Sequence, residues 1–246
     1  MVLTTVLLVV STVAFWPAFK GSTALDQAFQ TLPKGVLDAF GLQDFASAAG
    51  YLRGGLYEVI VPLMFAAAGV LFANSAISAE EDAGRLELFL AQPVTRRAFL
   101  TGRSLAVLAW LLALGIIVLL SQLVSDSVFD LEIATDRIVD TVVLCALLGG
   151  FYAAIAIAVA GGFARPGFVL AVGLVLALVG YLVAALLPLS DVLEPWSHLS
   201  PWDWALGGDP LVNATEPWRY AALVVPTIVL VLAGITAFDR RDIRSA

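Results

Sequence analysis

Glu80 and Glu81 stand side by side four residues before Arg85, and adjacent carboxylates of this kind can activate water or help hold a metal when imidazoles converge on them. That chemistry needs ligands from elsewhere in the chain. The sequence offers one histidine, His198, in a distant segment with no cysteine or second histidine near it, so it makes a poor metal site and reads as a structural polar contact. Cys145 is also single and lies in an apolar run, which excludes a disulfide or a cysteine-based metal site within one chain. A serine nucleophile is unsupported, because no base accompanies the serines and no G-x-S-x-G occurs. Nucleotide hydrolysis by a P-loop fails too, since Lys20 and Lys34, the only lysines, are each followed by glycine rather than Ser or Thr. The residues assign no catalytic and no metal site, and this chain binds no cofactor of its own by any motif it carries.

The two carboxylates belong to a charged stretch, residues 79–103, set between strongly apolar segments. Ala79, Ala83, Leu86, Phe89 and Leu90 repeat at helical spacing, with Glu80, Glu81, Arg85 and Glu87 turned away. The pattern predicts a short amphipathic helix near residues 79–91. Pro93 stops it, Thr95 is placed to cap the next helix, and a new apolar run follows Arg96 and Arg97.

The motif Glu80-Glu81-x-x-Gly84-x-Leu86-Glu87-Leu88-Phe89-Leu90-Ala91-x-Pro93-Val94-Thr95-Arg96 resembles the loop after the second span of ABC-2-type transporter permeases, the membrane subunits of many ATP-driven exporters. It departs from that pattern mainly at Arg85, where threonine is usual. The similarity extends loosely through the stretch from Asp44 to Leu52 and the ending Phe238-Asp239-Arg240-Arg241-Asp242-Ile243. The resemblance implies a permease that exports an unidentified substrate using ATP hydrolysed on separate ABC ATPase subunits, where ATP and Mg would bind. It also implies a second permease half, as a homodimer or a paired permease, in the cell membrane of a prokaryote. By the same analogy Glu80, Glu81, Gly84, Leu86, Glu87 and Phe89 would couple the permease to its ATPase. An ATP-independent membrane scaffold or accessory subunit that uses the same loop only for docking is the alternative. The Glu80-Glu81-x-x-x-Arg85 pattern also resembles the first motif of CAAX-type intramembrane proteases, but those need histidines in further spans, and this chain has none there.

Composition demands a lipid environment on separate grounds. The 246 residues are 61% hydrophobic and only 13% charged, too little polar surface for a soluble globule. Uncharged runs near 2–19, 56–79, 98–123, 138–162, 167–187 and 220–238 each approach the roughly 20 residues that cross a bilayer. The expectation is an all-α polytopic membrane protein, residues 1–246 forming a single ABC-2-like transmembrane domain of six transmembrane helices. A cytoplasmic amphipathic coupling helix would lie between spans two and three. An even number of spans puts both termini on one side.

Placing the Glu80 loop inside leaves eight basic residues in the cytoplasm and five outside, the expected bias, and puts fourteen of the 20 acidic residues outside. The net charge of −7 thus belongs to external loops and argues against a nucleic acid partner, while the apolar runs make membrane lipid a partner.

Within the spans, Asn74 and Ser75 are candidate liners of a translocation path, with hydrogen bonding to a neighbouring helix as the other reading. Gly150, Ala154, Ala158 and Gly162, beside Gly149, Ala153 and Gly161, allow close helix approach, more simply within the bundle than between subunits. Residues 163–166 predict a tight hairpin between spans four and five. Trp196, Trp202, Trp204, Trp218 and Tyr220 read as an aromatic belt, and residues 25–40 as a helix on the outer interface. The first span is short and has no basic residue ahead of it, so an upstream basic extension is expected; a signal peptide is the competing reading.

Overall fold

The computed structural model describes residues 2–20, 31, 37, 47–79, 95–163 and 165–240. Among these the chain is helical, with no strand. In lipid this follows from the need to satisfy every backbone N–H and C=O within its own segment.

Helix α1 (Val2–Ala14) runs through a turn into α2 (Trp16–Phe19). A second path begins with α3 (Ala48–Leu52), passes through a π-helical turn (Arg53–Tyr57) and continues as α4 (Ile60–Ala76). The long helices α5 (Arg96–Phe129), α6 (Thr135–Gly162), α7 (Pro166–Leu186) and α10 (Pro217–Arg240) follow, with short α8 (Glu194–Ser197) and α9 (Pro201–Leu206) between α7 and α10. Five segments are long and apolar enough to cross a membrane: Ala48–Ala76, Arg96–Phe129, Thr135–Gly162, Pro166–Leu189 and Pro217–Arg240. The sixth apolar helix, Leu3–Phe19, is shorter.

Most boundaries lie outside the apolar runs. Residues 48–55 extend the second span, and α5 gains a turn or more at its end, because a helix need not stop where its side chains become polar. Thr95 is the N-cap of α5, its Oγ1 accepting the Ala98 N–H at 3.2 Å, so Pro93-Val94-Thr95 does mark the start. Asp130, in the left-handed region with φ 46°, ends the helix. Pro166 opens α7 as its first residue, making the expected short hairpin with α6.

The chain runs up and down, so α4 ends, α5 begins, α6 ends, and α10 ends at one end of the bundle, where Arg97 pairs with Asp239 at 2.8 Å and Phe99 stacks on Phe238. We call this the Arg97 end and the opposite one the α9 end. α6 is central, packing on α4, α5, α7, α9 and α10. Its small residues make that position possible. A Cβ on Gly149 would lie 2.7 Å from the Phe65 carbonyl oxygen, and a Cβ on Gly69 or Gly161 would collide with the carbonyls of Gly149 or Gly234. Here the glycines serve internal packing, with Gly149 and Gly161 at the closest approaches, and Gly150 merely reaches Leu108 at 3.9 Å. The outward faces are apolar: Leu105, Trp110 and Leu112 on α5, Val175 on α7, Ile228 and Val229 on α10 are all exposed. Such a girdle is what lipid would cover.

α1 packs along α5 and α4, with Thr5 Oγ1 donating to Met64 Sδ at 3.4 Å and Tyr51 Oη donating to the Thr12 carbonyl at 2.8 Å. Thr5 therefore lies level with Met64, twelve residues before Ala76, or about 18 Å along α4 at 1.5 Å per residue.

Candidate functional site

Residues Glu80, Glu81, Gly84, Leu86, Glu87 and Phe89 lie outside the described residues, as does the expected interfacial helix at 25–40 except for Thr31 and Leu37. Their frame is described. Ala79 and Thr95, which flank that segment, both belong to the Arg97 end.

Asn74 and Ser75 do not form one polar surface, because consecutive residues on a helix point about 100° apart. Asn74 is buried, and among the described residues its Oδ1 has no hydrogen-bond partner; one turn on, the buried Ser78 hydroxyl likewise finds none among them. Ser75 points out of the bundle and spends its one O–H on the Phe72 carbonyl at 3.0 Å. Of the pair, only Asn74 faces inward.

The densest polar arrangement is at the α9 end, and sequence reasoning missed it. Arg53 starts the π-helical turn, in which the Glu58 N–H reaches back five residues to the Arg53 carbonyl at 2.7 Å. Such a turn inserts one residue relative to an α-helix and re-aims the side chains before it. It brings the Arg53 guanidinium between two carboxylates, Nε to Glu58 Oε2 at 3.2 Å and Nη1 to Asp209 Oδ2 at 2.7 Å. Asp209 follows α9 in the left-handed region, φ 52°. Burial pushes its carboxyl above the usual carboxylate range, while the cations of Arg53 and Arg219 pull the other way. Arg219, at the start of α10, donates to the Asp203 carbonyl at 2.7 Å and lies over the Trp218 ring at 4.7 Å.

A second set of contacts anchors α9 onto the spans. Trp202 is buried, 2% exposed, and its Nε1–H is shared between Tyr152 Oη and the Ala177 carbonyl, each at 3.1 Å. Ser200 Oγ caps α9 by accepting the Trp202 N–H at 3.1 Å and donates to the Gly180 carbonyl at 2.6 Å. Trp202 is thus a packing anchor, a correction to its reading as part of an aromatic belt; Trp196 and Trp218 are exposed and fit that belt. His198 makes the structural polar contact expected of it, Nδ1 to Asp203 Oδ2 at 3.1 Å.

These elements enclose a cavity of about 190 Å³, lined by Arg53, Glu58, Tyr181, Trp202, Asp203 and Gly207 among others. Neighbouring polar pairs close the same end of the bundle, Tyr220 Oη donating to Asp140 Oδ1 at 2.7 Å and Tyr57 Oη facing the fully buried Gln122 Oε1 at 3.4 Å. In the sequence Glu58 and Asp140 are simply acids near the ends of apolar runs. Asp140 meets a tyrosine 80 residues away, and the Arg53 that holds Glu58 also holds Asp209, 156 residues from it, so no local pattern carries that information.

Among the described residues no group of three His, Cys, Asp or Glu could hold a metal ion. Residues 42–239 match the family model described as the multidrug efflux system permease Rv1217c, C-terminal domain. No curated protein matches the chain.

Proposed function

We propose, for a chain that belongs to the Rv1217c C-terminal-domain family of multidrug efflux system permeases, that it is one ABC-2-type half of an ATP-driven exporter. The observation that supports the reading is the acidic motif of residues 80–94, whose flanking residues Ala79 and Thr95 lie at the Arg97 end of a helical bundle. This chain has no P-loop, so the nucleotide would be hydrolysed on separate ABC ATPase subunits. Closure of those subunits would press on the segment and rock two permease halves about a shared path. The Arg97 end would face the cytoplasm and the α9 end the outside, in keeping with the basic residues Arg96, Arg97, Arg103 and Arg240 at the former.

In this reading Leu86 and Phe89 enter an apolar cleft of the ATPase, while Glu80, Glu81 and Glu87 meet basic groups at its rim and Gly84 lets the helix approach closely. Truncating a buried anchor commonly costs about 2 kcal/mol or more, roughly thirtyfold in affinity, whereas a rim charge costs less and alters salt dependence. The test is co-purification with the ATPase subunit and nucleotide-dependent transport in proteoliposomes. Leu86→Asp is expected to abolish transport and weaken ATPase association with membrane insertion intact, and Glu81→Lys to give a milder, salt-sensitive defect. Full transport by Leu86→Asp would overturn the coupling role, and a stable partner complex without nucleotide-dependent movement would favour a scaffold instead.

A further inference from the structure

We propose that the cavity at the α9 end is a binding site for an organic ammonium ion, with Glu58 as its principal counter-charge. The lining carries one cation, Arg53, against two carboxylates, Glu58 and Asp203, the latter also reached by His198; behind Arg53, Asp209 and Arg219 add one charge of each sign. Arg53 is already committed, with Nε and Nη1 each engaged by a carboxylate, so it offers little to an anion. The surplus is negative. Glu58 retains 20% side-chain exposure and Asp203 17%, enough for a guest to reach them and little enough that water weakens the attraction less than at an open surface.

The remaining wall is apolar, with the Tyr181 ring beside Ala184, Ala185, Pro188 and Leu206 and the buried Trp202 behind it. Tyr181 and Trp202 stand 5.2 Å apart at 59°, and the doubly held indole N–H of Trp202 fixes this corner. A ring face beside a carboxylate attracts alkylated ammonium groups, which are too poorly hydrated to prefer bulk water as sodium or potassium does. About 190 Å³ is far above the ~10–15 Å³ that a cavity needs to hold one water, room for a small quaternary ammonium group.

The inference concerns binding alone and does not depend on an ATPase partner. The full chain in lipid nanodiscs, without nucleotide or ATPase, is titrated with benzyltrimethylammonium in 150 mM sodium chloride (~8 Å screening length) and, separately, with benzylsulfonate. Saturable binding of the cation and none of the sulfonate is expected. Glu58→Gln should weaken it about tenfold and Asp203→Asn about threefold, while Asp136→Asn, an exposed acid away from the cavity, changes nothing. Tyr181→Phe should bind as the native protein does and Tyr181→Leu about fivefold more weakly. This pair decides the matter if Glu58→Gln fails to fold. No saturable binding, equal binding of the sulfonate, or native affinity in both Glu58→Gln and Tyr181→Leu would overturn the proposal. Any of these outcomes would leave the reading as an ATP-driven permease standing, which transport with the ATPase tests separately.

Discussion

Arg53 neutralises one of two carboxylates that both reach it, so its removal exposes a repulsion as well as losing two bonds. Removing one partner of a fully buried ion pair costs about 3–5 kcal/mol. Here the three side chains keep exposures of 21%, 20% and 31%, and solvent screening brings the expected loss for Arg53→Leu down to about 2 kcal/mol. Adding Asp209→Asn should restore part of that loss, because it removes the repulsion; thermal unfolding of both variants in detergent checks the sign. Asp209 also gives a pH dependence. Its folded carboxyl titrates above the usual range, chiefly through burial, so the native state binds its proton more tightly than the unfolded chain does. The stability it contributes is fully present below the unfolded value and is lost as pH rises through the folded one. The margin in melting temperature of the native protein over Asp209→Asn is therefore expected to shrink as pH rises from the usual carboxylate range. A growing margin would mean that the bridge to Arg53 outweighs burial.

At the level of elements, close contact between α4 and α6 depends on missing side chains. Gly149→Val would drive a branched side chain into the Phe65 carbonyl, 2.7 Å from the first added carbon, and should cost about 3 kcal/mol or more, read as lost yield and a lower melting temperature. The π-helical turn invites a second test. Deleting Gly54 would restore α-helical register and turn α3 by about 100° against α4, carrying Arg53 away from Asp209. Stability should fall about as far as in Arg53→Leu, and combining the two changes should add little. The helices themselves were legible because lipid permits few alternatives to a long apolar helix, and Thr95, Pro166 and the glycines of α6 announced caps, hairpin and packing correctly. The extension of the second span back to Ala48 was not, since Arg53-Gly54-Gly55 reads as a polar, flexible stretch when its tertiary partners are unseen. The same reason hid the polar network: Arg53 meets Asp209, and Tyr57 meets Gln122, only after the bundle has assembled. The pairing of Asn74 with Ser75 misled in the opposite way, because adjacency in sequence is divergence on a helix.

For the whole molecule, the orientation proposed above makes a simple labelling prediction. In a Cys145→Ala background, a cysteine at the exposed Asn213 should react with an impermeant thiol reagent added outside intact cells, and one at the open Gly162 should react only after permeabilisation. The reverse pattern would invert the topology and place the acidic segment 80–94 outside. Each end of the bundle is tied laterally, one by Arg97 to Asp239 and the other by Arg53 to Asp209, whereas the apolar middle relies on shape. Of the described helices that join the two ends, α5 is the longest. Helix α5 runs unbroken for 34 residues, about 51 Å at 1.5 Å per residue, well beyond a hydrocarbon core of roughly 30 Å. It has no proline and begins just after the acidic segment, so it acts as a strut: each degree of tilt about its Arg97 end sweeps the Phe129 tip by about 1 Å. A small tilt at one end of such a rod would therefore appear at the other as a displacement of ångström size.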